Sequence, residues 1–166
     1  YFLGDGTFST DRMCKYVRPC ALGLAEGEVR KNLLKNIVRL NRERNYRIGT
    51  GFLSTPFVLG LLTEAGTPQD AYHMLTNPEF GWMQQIKKGA TTVWENWTDD
   101  ASLNHYSKGA CCQWLFDCVC GIRLDERENH FIIEPHPVFQ LENAGFVYES
   151  VYGIVESEWK KQGDDY

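Results

Sequence analysis

The chain has 166 residues, 43% of them hydrophobic and 23% charged, a balance that is typical of a folded globular domain and excludes disorder across its bulk. Its net charge of −5 lacks the basic excess of most nucleic-acid-binding proteins, and the basic residues between positions 31 and 47 fall on one face of a predicted helix. No apolar run approaches the length of a membrane span, so neither nucleic acid nor a membrane is expected as a partner.

Apolar residues recur at helical spacing in five segments of the chain. The predicted helices cover residues 10–25, 28–45, 56–64, 68–75 and about 104–120. Ser9 or Thr10 is expected to cap the first of these helices, and Pro19 is expected to kink or split it. The third helix is apolar on nearly all its sides, so it is expected to be buried. Gly121 is expected to end the last one.

The pattern changes after Gly121, where apolar residues alternate with the period of a β-strand. The predicted strands cover residues 131–135, 146–150 and 154–159. The last two are expected to form a hairpin around Tyr152 and Gly153. Helices followed by strands predict a mainly α fold, with a helical body over residues 1–125 and the start of a β layer over residues 126–166. Paired helices joined by polar and aromatic loops fit stacked helical hairpins whose loops gather at one mouth of a toroid.

The six cysteines show no spacing typical of a zinc site, and four of them fall between positions 111 and 120 in a predicted helix. Neighbours on one helix do not generally form disulfides with each other, so buried, reduced thiols are expected. Reduced thiols favour a cytoplasmic location, with a periplasmic or secreted one left open. No metal and no cofactor is expected.

One stretch carries residues suited to sugar chemistry: residues 89–97 (GATTVWENW), with His105 shortly after. Glu95 stands between Trp94 and Trp97. A carboxylate can activate water when less polar surroundings shape its proton affinity, and an indole offers a flat face to the C–H side of a pyranose. A solvated loop carboxylate is the alternative for Glu95. Either tryptophan is a candidate to line the sugar, and core packing is expected for one of them because residues three apart on an extended loop face opposite ways.

Five short motifs lie along most of the chain. They are residues 49–56 (GTGFLSTP), 89–95 (GATTVWE), 104–106 (NHY), 133–135 (IEP) and 150–153 (SVYG). Together they resemble the C-terminal part of bacterial α-L-rhamnosidases, most specifically through GATTVWE followed by NHY. The resemblance implies the later helical hairpins of an (α/α)6 barrel, followed by the first strands of a C-terminal β-sandwich.

Members of that family hydrolyse terminal α-L-rhamnose from glycosides with inversion at the anomeric carbon, so a rhamnose-containing glycoside is the implied substrate. The resemblance assigns Glu95 as the general base and His105 as a sugar contact, with Trp94 and Trp97 as further candidates for substrate binding. The family's general acid belongs to an acidic, aromatic motif upstream that this sequence does not contain. We therefore expect a fragment of a longer enzyme, inactive alone, whose missing N-terminal part completes the site. Uncovered apolar faces are expected to make the fragment self-associate as a homo-oligomer.

Two other functions fit the same residues. A non-catalytic carbohydrate-binding or helical scaffold module would keep the aromatic residues and could lose Glu95 without consequence. Another inverting glycosidase, or a phosphorylase, could use the same (α/α)6 barrel. The linker between Asn96 and Asn104 is shorter than in some members of the family, which leaves the substrate preference open.

Overall fold

The structure, a computed structural model, describes residues 6–125 and 130–163. It divides between Cys111 and Cys112 into two compact units, which we name the helical unit and the C-terminal unit. The boundary predicted between residues 125 and 126 stays a prediction. The residues that the sequence singled out for sugar chemistry all belong to the helical unit.

The helical unit consists of two successive helical hairpins followed by shorter helices. Its elements are α1 (Met13–Ala21), α2 (Gly27–Glu43), α3 (Thr55–Glu64), α4 (Pro68–Leu75), α5 (Trp82–Lys87) and a 3₁₀ helix (Tyr106–Ala110). Helix α1 packs against α2 and α3 packs against α4, while α3 also contacts α1, α2 and the 3₁₀ helix. The predicted architecture of paired helices is therefore confirmed, although α5 was not predicted.

Apolar rows explain why these helices pair. Helix α2 buries Leu33, Ile37 and Leu40 on one face, and charged residues occupy the other face. Helix α3 buries most of its apolar side chains, as expected. The expectation of burial on all sides is wrong for Phe57, which is 41% exposed, because the neighbouring helices cover only part of the circumference of α3.

The start of α1 differs from the prediction. The helix begins after Arg12, which has an extended backbone and makes no side-chain capping hydrogen bond, so the expected cap at Ser9 or Thr10 is wrong. Pro19 lies inside α1 and does not split it. The helix ends shortly after Pro19, so the missing N–H removes a hydrogen bond only from the last turn.

The helix predicted over residues 104–120 is a succession of three helical forms. Its parts are the 3₁₀ helix (Tyr106–Ala110), α6 (Cys111–Trp114) and a π-helical turn (Leu115–Val119). Gly121 ends the succession as predicted, with a φ of +75°. A Cβ at this position would lie 2.2 Å from the backbone nitrogen of Pro135, so a side chain does not fit there.

Within residues 112–125 and 130–163, the C-terminal unit contains two antiparallel strand pairs. Its strands are β1 (Ile122–Leu124), β2 (Phe131–Ile133), β3 (Asn143–Ser150) and β4 (Gly153–Lys160). Strand β1 pairs with β2, and β3 pairs with β4 with Ser150 opposite Gly153, which confirms the predicted hairpin. Strand β1 was not predicted because a three-residue strand is too short to show a period. The indole N–H of Trp159 on β4 donates to the carbonyl of Val119 at 2.8 Å, which joins the hairpin to the π-helical turn.

The cysteines are less uniformly buried than expected. Cys20 and Cys120 are buried, and burial raises the pKa of both thiols. Cys112 is exposed, because the short helix α6 buries only Trp114. Across residues 6–125 and 130–163, no helix combines the length and apolarity needed to cross a bilayer, and no group of three His, Cys, Asp or Glu side chains is placed to hold a metal ion.

Candidate active site

Residues 89–105 form an irregular loop between α5 and the 3₁₀ helix, which we name the site loop. The chain turns back on itself within this loop. The backbone N–H of His105 donates to the carbonyl of Val93 at 2.6 Å, and the N–H of Glu95 donates to the carbonyl of Ser102 at 2.9 Å. The two arms that carry Glu95 and His105 are therefore joined by backbone hydrogen bonds, as a rigid site requires.

Glu95 lies half-buried in the first arm of the site loop. Its carboxylate oxygen Oε2 accepts a long hydrogen bond of 3.4 Å from the backbone N–H of Ser102 on the second arm. This contact orients the carboxylate and leaves lone pairs available for a further partner. A carboxylate held in this way can accept a proton from a water molecule.

Trp94 and Trp97 are both buried, with 6% and 9% of their surface exposed. The indole N–H of Trp97 donates to the carbonyl of Thr50 at 2.9 Å, and its ring stands edge-to-face against Trp82 at 4.9 Å between centroids. These contacts give Trp97 a packing role in the helical unit. Core packing, expected for one of the two tryptophans, applies to both, and contact of either indole with a sugar stays a prediction.

The segment over residues 49–56 supplies the hydrogen-bond acceptor for the indole of Trp97. Thr50 and Thr55 are buried, and their hydroxyl oxygens share a hydrogen bond of 2.9 Å. Trp97 binds the carbonyl of Thr50, so the GTGFLSTP and GATTVWENW motifs, distant in sequence, meet in the fold. The sequence pattern of each motif reflects this shared packing as well as any contact with a ligand.

His105 is the last residue before the 3₁₀ helix and is half-buried. Its ring stacks on the ring of Tyr106 with centroids 5.5 Å apart and an angle of 14° between planes. Tyr106 is 88% exposed, so the stacked pair faces the surface of the described chain. An imidazole in this position can donate or accept a hydrogen bond from a polar ligand.

Two buried polar side chains that support the site loop were missed by sequence reasoning. Gln85 on α5 donates from Nε2 to the carbonyl of Asn96 at 2.7 Å. Lys108 on the 3₁₀ helix is 2% exposed, and its ammonium donates to the backbone carbonyl of Glu95. Burial lowers the pKa of Lys108, and the negative charge of Glu95 opposes this effect. A lysine within a predicted helix normally indicates a solvated charge, and no pattern in the sequence marked this one as buried.

Asp99 and Asp100, the other carboxylates of the site loop, have different partners from those of Glu95. Asp100 accepts hydrogen bonds from the hydroxyl of Thr98 at 2.6 Å and from the side-chain amide of Asn96 at 3.1 Å. These bonds, that from Thr98 first, hold the pKa of Asp100 below its ordinary value of 3.8. Asp99 forms an exposed ion pair of 3.6 Å with Lys88. The lowered pKa of Asp100 is the opposite of the raised pKa that a general acid requires.

The helical unit thus consists of stacked helical hairpins with a half-buried carboxylate on a loop between helices. Residues 1–119 match the family model of the bacterial α-L-rhamnosidase six-hairpin glycosidase domain, and residues 129–166 match that of the bacterial α-L-rhamnosidase C-terminal domain. The first match alone covers more than half of the chain. The chain therefore belongs to the bacterial α-L-rhamnosidase family.

Individual relatives agree with this membership. The chain is 29% identical to an α-L-rhamnosidase of Streptomyces avermitilis, with 98% of this chain and 17% of the relative covered, and 30% identical to one of Formosa agariphila, with 91% and 18% covered. The crystal structure of the Streptomyces avermitilis enzyme, which was solved in complex with L-rhamnose, superposes with a TM-score of 0.87 at 28% identity, over 98% of this chain and 17% of that chain. The chain thus spans less than a fifth of the length of these relatives.

Proposed function

We propose that this chain supplies the general base of an inverting α-L-rhamnosidase, and that Glu95 is that base. The observation that carries the proposal is the attachment of Glu95: its backbone is bonded to Ser102 and Lys108, and its carboxylate stays half-exposed. Family membership supplies the substrate class, since a relative of the same fold was solved with L-rhamnose bound. The proposed substrate is a glycoside with a terminal α-L-rhamnose.

The proposed reaction forms one bond to the anomeric carbon and breaks another, with one proton transferred at each. The Glu95 carboxylate takes a proton from a water molecule, and the water oxygen forms a bond to the anomeric carbon on the face opposite to the leaving group. The bond from the anomeric carbon to the leaving oxygen breaks, and a general acid protonates that oxygen. The product is rhamnose of inverted anomeric configuration. Inverting enzymes hold the two carboxyl groups about 6.5–9.5 Å apart, which leaves room for the water.

The general acid is proposed to lie outside these 166 residues. Asp99 and Asp100 neighbour Glu95 on the same loop. Asp99 pairs with Lys88, and the hydrogen bonds of Asp100 hold its pKa below the ordinary value. Glu95 then provides one half of an acid–base pair, so we propose that the 166 residues do not turn over a rhamnoside by themselves. His105 is proposed to bind a hydroxyl group of the sugar from the second arm of the site loop.

The test is the substitution Glu95→Gln in the full-length polypeptide that contains this chain. Glutamine keeps the size of the side chain and cannot accept the proton, so kcat on an aryl α-L-rhamnoside is expected to fall by about 10²- to 10⁴-fold. Binding of L-rhamnose, measured by calorimetry, is expected to stay near the wild-type value. The exposed residue Glu28 on α2 offers a matched control, and Glu28→Gln is expected to leave kcat unchanged. Turnover at the wild-type rate by the Glu95→Gln variant would refute the assignment.

The stereochemistry is tested separately by following the first product with NMR before mutarotation. Inversion predicts that hydrolysis of an α-rhamnoside first yields the β anomer. If the α anomer forms first, Glu95 is not the base of a single-displacement reaction.

A further inference from the structure

Lys108 is a charged side chain in the interior of the helical unit. Only 2% of its surface is exposed, and a lysine at this depth is rare unless partners satisfy the ammonium group. Its place on the 3₁₀ helix sets it beneath the site loop, beyond the reach of bulk water. The steps proposed above for hydrolysis do not use it.

The ammonium of Lys108 contacts two residues of the site loop. Its ammonium donates a hydrogen bond to the backbone carbonyl of Glu95 and lies 4.3 Å from the ring centroid of Trp97, within range for a cation–π contact. The backbone carbonyl of Lys108 in turn accepts a hydrogen bond of 2.9 Å from the indole N–H of Trp82. Hydrogen bonds thus fix both the backbone and the ammonium group of Lys108. The ammonium group in turn binds the backbone of Glu95, the residue proposed as the base.

The carboxylate of Glu95 acts on the charge of Lys108. Burial lowers the pKa of Lys108, while the carboxylate of Glu95 acts in the opposite direction and favours the charged ammonium. Within residues 6–125 and 130–163, Glu95 is the charged group that acts on this lysine. The attraction between the two side chains adds to the hydrogen bond by which the ammonium holds the first arm of the site loop.

We infer that Lys108 is a positioning residue for Glu95: its ammonium fixes the backbone of the first arm of the site loop through the carbonyl of Glu95. This inference rests on the proposed function of Glu95. Lys108 acts through Glu95 and touches neither the sugar nor the attacking water. Its removal therefore affects the chemical step more than substrate binding.

The first measurement compares Lys108→Met with the wild type in the full-length polypeptide. Methionine keeps an unbranched stem of similar volume and removes the charge and the donor. Misplacement of a catalytic group is expected to lower kcat by between about 10-fold and about 100-fold, with KM changed by less than about threefold. Lys31 on α2 is exposed, and Lys31→Met is the matched control, expected to leave both constants unchanged.

The second measurement tests whether Lys108 acts through Glu95. In a Glu95→Ala variant, azide can attack the anomeric carbon directly while the bond to the leaving oxygen breaks and the general acid protonates that oxygen. This reaction needs no base and yields a rhamnosyl azide of inverted configuration. Adding Lys108→Met to Glu95→Ala is therefore expected to change the azide-dependent rate by less than about threefold, although the same substitution lowers kcat strongly when Glu95 is present.

The outcomes separate the two proposals. If Glu95→Gln is inactive and folded Lys108→Met keeps the wild-type kcat, the role of Lys108 is refuted and that of Glu95 stands. Equal losses in the hydrolytic and azide reactions would also refute the positioning role, because they would show an effect that does not pass through Glu95. If Lys108→Met does not fold, Lys108→Gln, which keeps an N–H donor and loses the charge, is judged by the same two rates. If Glu95→Gln retains wild-type turnover, both proposals fall.

Discussion

The helical hairpins α1–α4 and the site loop are held together in different ways. The hairpins depend on rows of apolar side chains, such as those of α2 and α3, that repeat along each helix and bury one face. The site loop depends on single polar contacts made by buried side chains, among them Gln85, Trp97 and Lys108. The hairpins share their stabilisation among many apolar contacts, whereas the loop depends on a few hydrogen bonds.

This difference separates stability from activity. Loss of an apolar side chain in a hairpin leaves a cavity and lowers the free energy of unfolding, but the remaining contacts keep the helices in place. Loss of a polar contact in the loop removes little buried area, but it frees the backbone that carries Glu95 or His105. The following predictions test this separation, from the largest expected effect to the smallest.

Ile37 on α2 is completely buried between the helices of the first hairpin. The substitution Ile37→Ala is expected to lower the free energy of unfolding by about 2–5 kcal/mol, because it removes apolar contacts and leaves a cavity. Urea denaturation measures this loss. The kcat and KM of the folded variant are expected to equal those of the wild type. Ile86→Ala on α5, where the side chain is exposed, is the control with little effect on stability. A large fall in kcat for folded Ile37→Ala would contradict the separation.

The difference between repeated apolar rows and single polar contacts also explains which elements could be predicted from the sequence. Helical spacing predicted α1, α2, α3 and α4, because repeated apolar positions leave a period that can be counted. Helix α5 and strand β1 were missed because each is too short for a period to emerge. The helix predicted over residues 104–120 was found as three helical forms, and periodicity does not distinguish 3₁₀, α and π turns.

The candidate site was predicted only in part. Motif resemblance singled out Glu95 and His105, and the structure places them on the two bonded arms of one loop. Gln85 and Lys108 were missed because polar and charged residues in helices are normally solvated, and only the fold reveals that their tips meet backbone carbonyls of the loop. The burial of Trp97 also follows from long-range packing, through its hydrogen bond to the carbonyl of Thr50.

A substitution of His105 tests whether a change in the site loop affects substrate binding more than stability. The substitution His105→Ala in the full-length polypeptide is expected to weaken substrate binding by about 0.5–1.5 kcal/mol, the contribution of one hydrogen bond, and to raise KM accordingly. The free energy of unfolding is expected to fall by about 1 kcal/mol or less. The hydrogen bond to Val93 uses the backbone N–H, which alanine keeps, and among the contacts described above the only ring contact that is lost is with the exposed ring of Tyr106. His130→Ala, at an exposed position outside the helical unit, is the control. Unchanged KM and kcat would remove His105 from the site.

The smallest predicted effect concerns an exposed contact of the first hairpin and depends on pH. The carboxylate of Asp11 accepts hydrogen bonds from the hydroxyl of Tyr16 on α1 at 2.6 Å and from the guanidinium of Arg39 on α2 at 2.7 Å. The hydrogen bond from Tyr16 is the main reason that the pKa of Asp11 lies below its ordinary value of 3.8, with Arg39 adding to it and burial opposing both.

The sign of the pH dependence follows from that lowered pKa. The unfolded chain takes up the proton first as the pH falls, so the stabilisation by Asp11 is complete above pH 3.8 and is lost as the pH falls through the folded value. Asp11→Asn is therefore expected to be less stable than the wild type near neutral pH, by at most about 1 kcal/mol for so exposed a contact, and the difference is expected to vanish in acid.

Glu43→Gln removes another carboxylate that contacts Arg39 and serves as the control. A difference between Asp11→Asn and the wild type that stays constant with pH would show that the ionised carboxylate does not link α1 to α2. A change in kcat near neutral pH would show that this hairpin and the site loop are coupled after all.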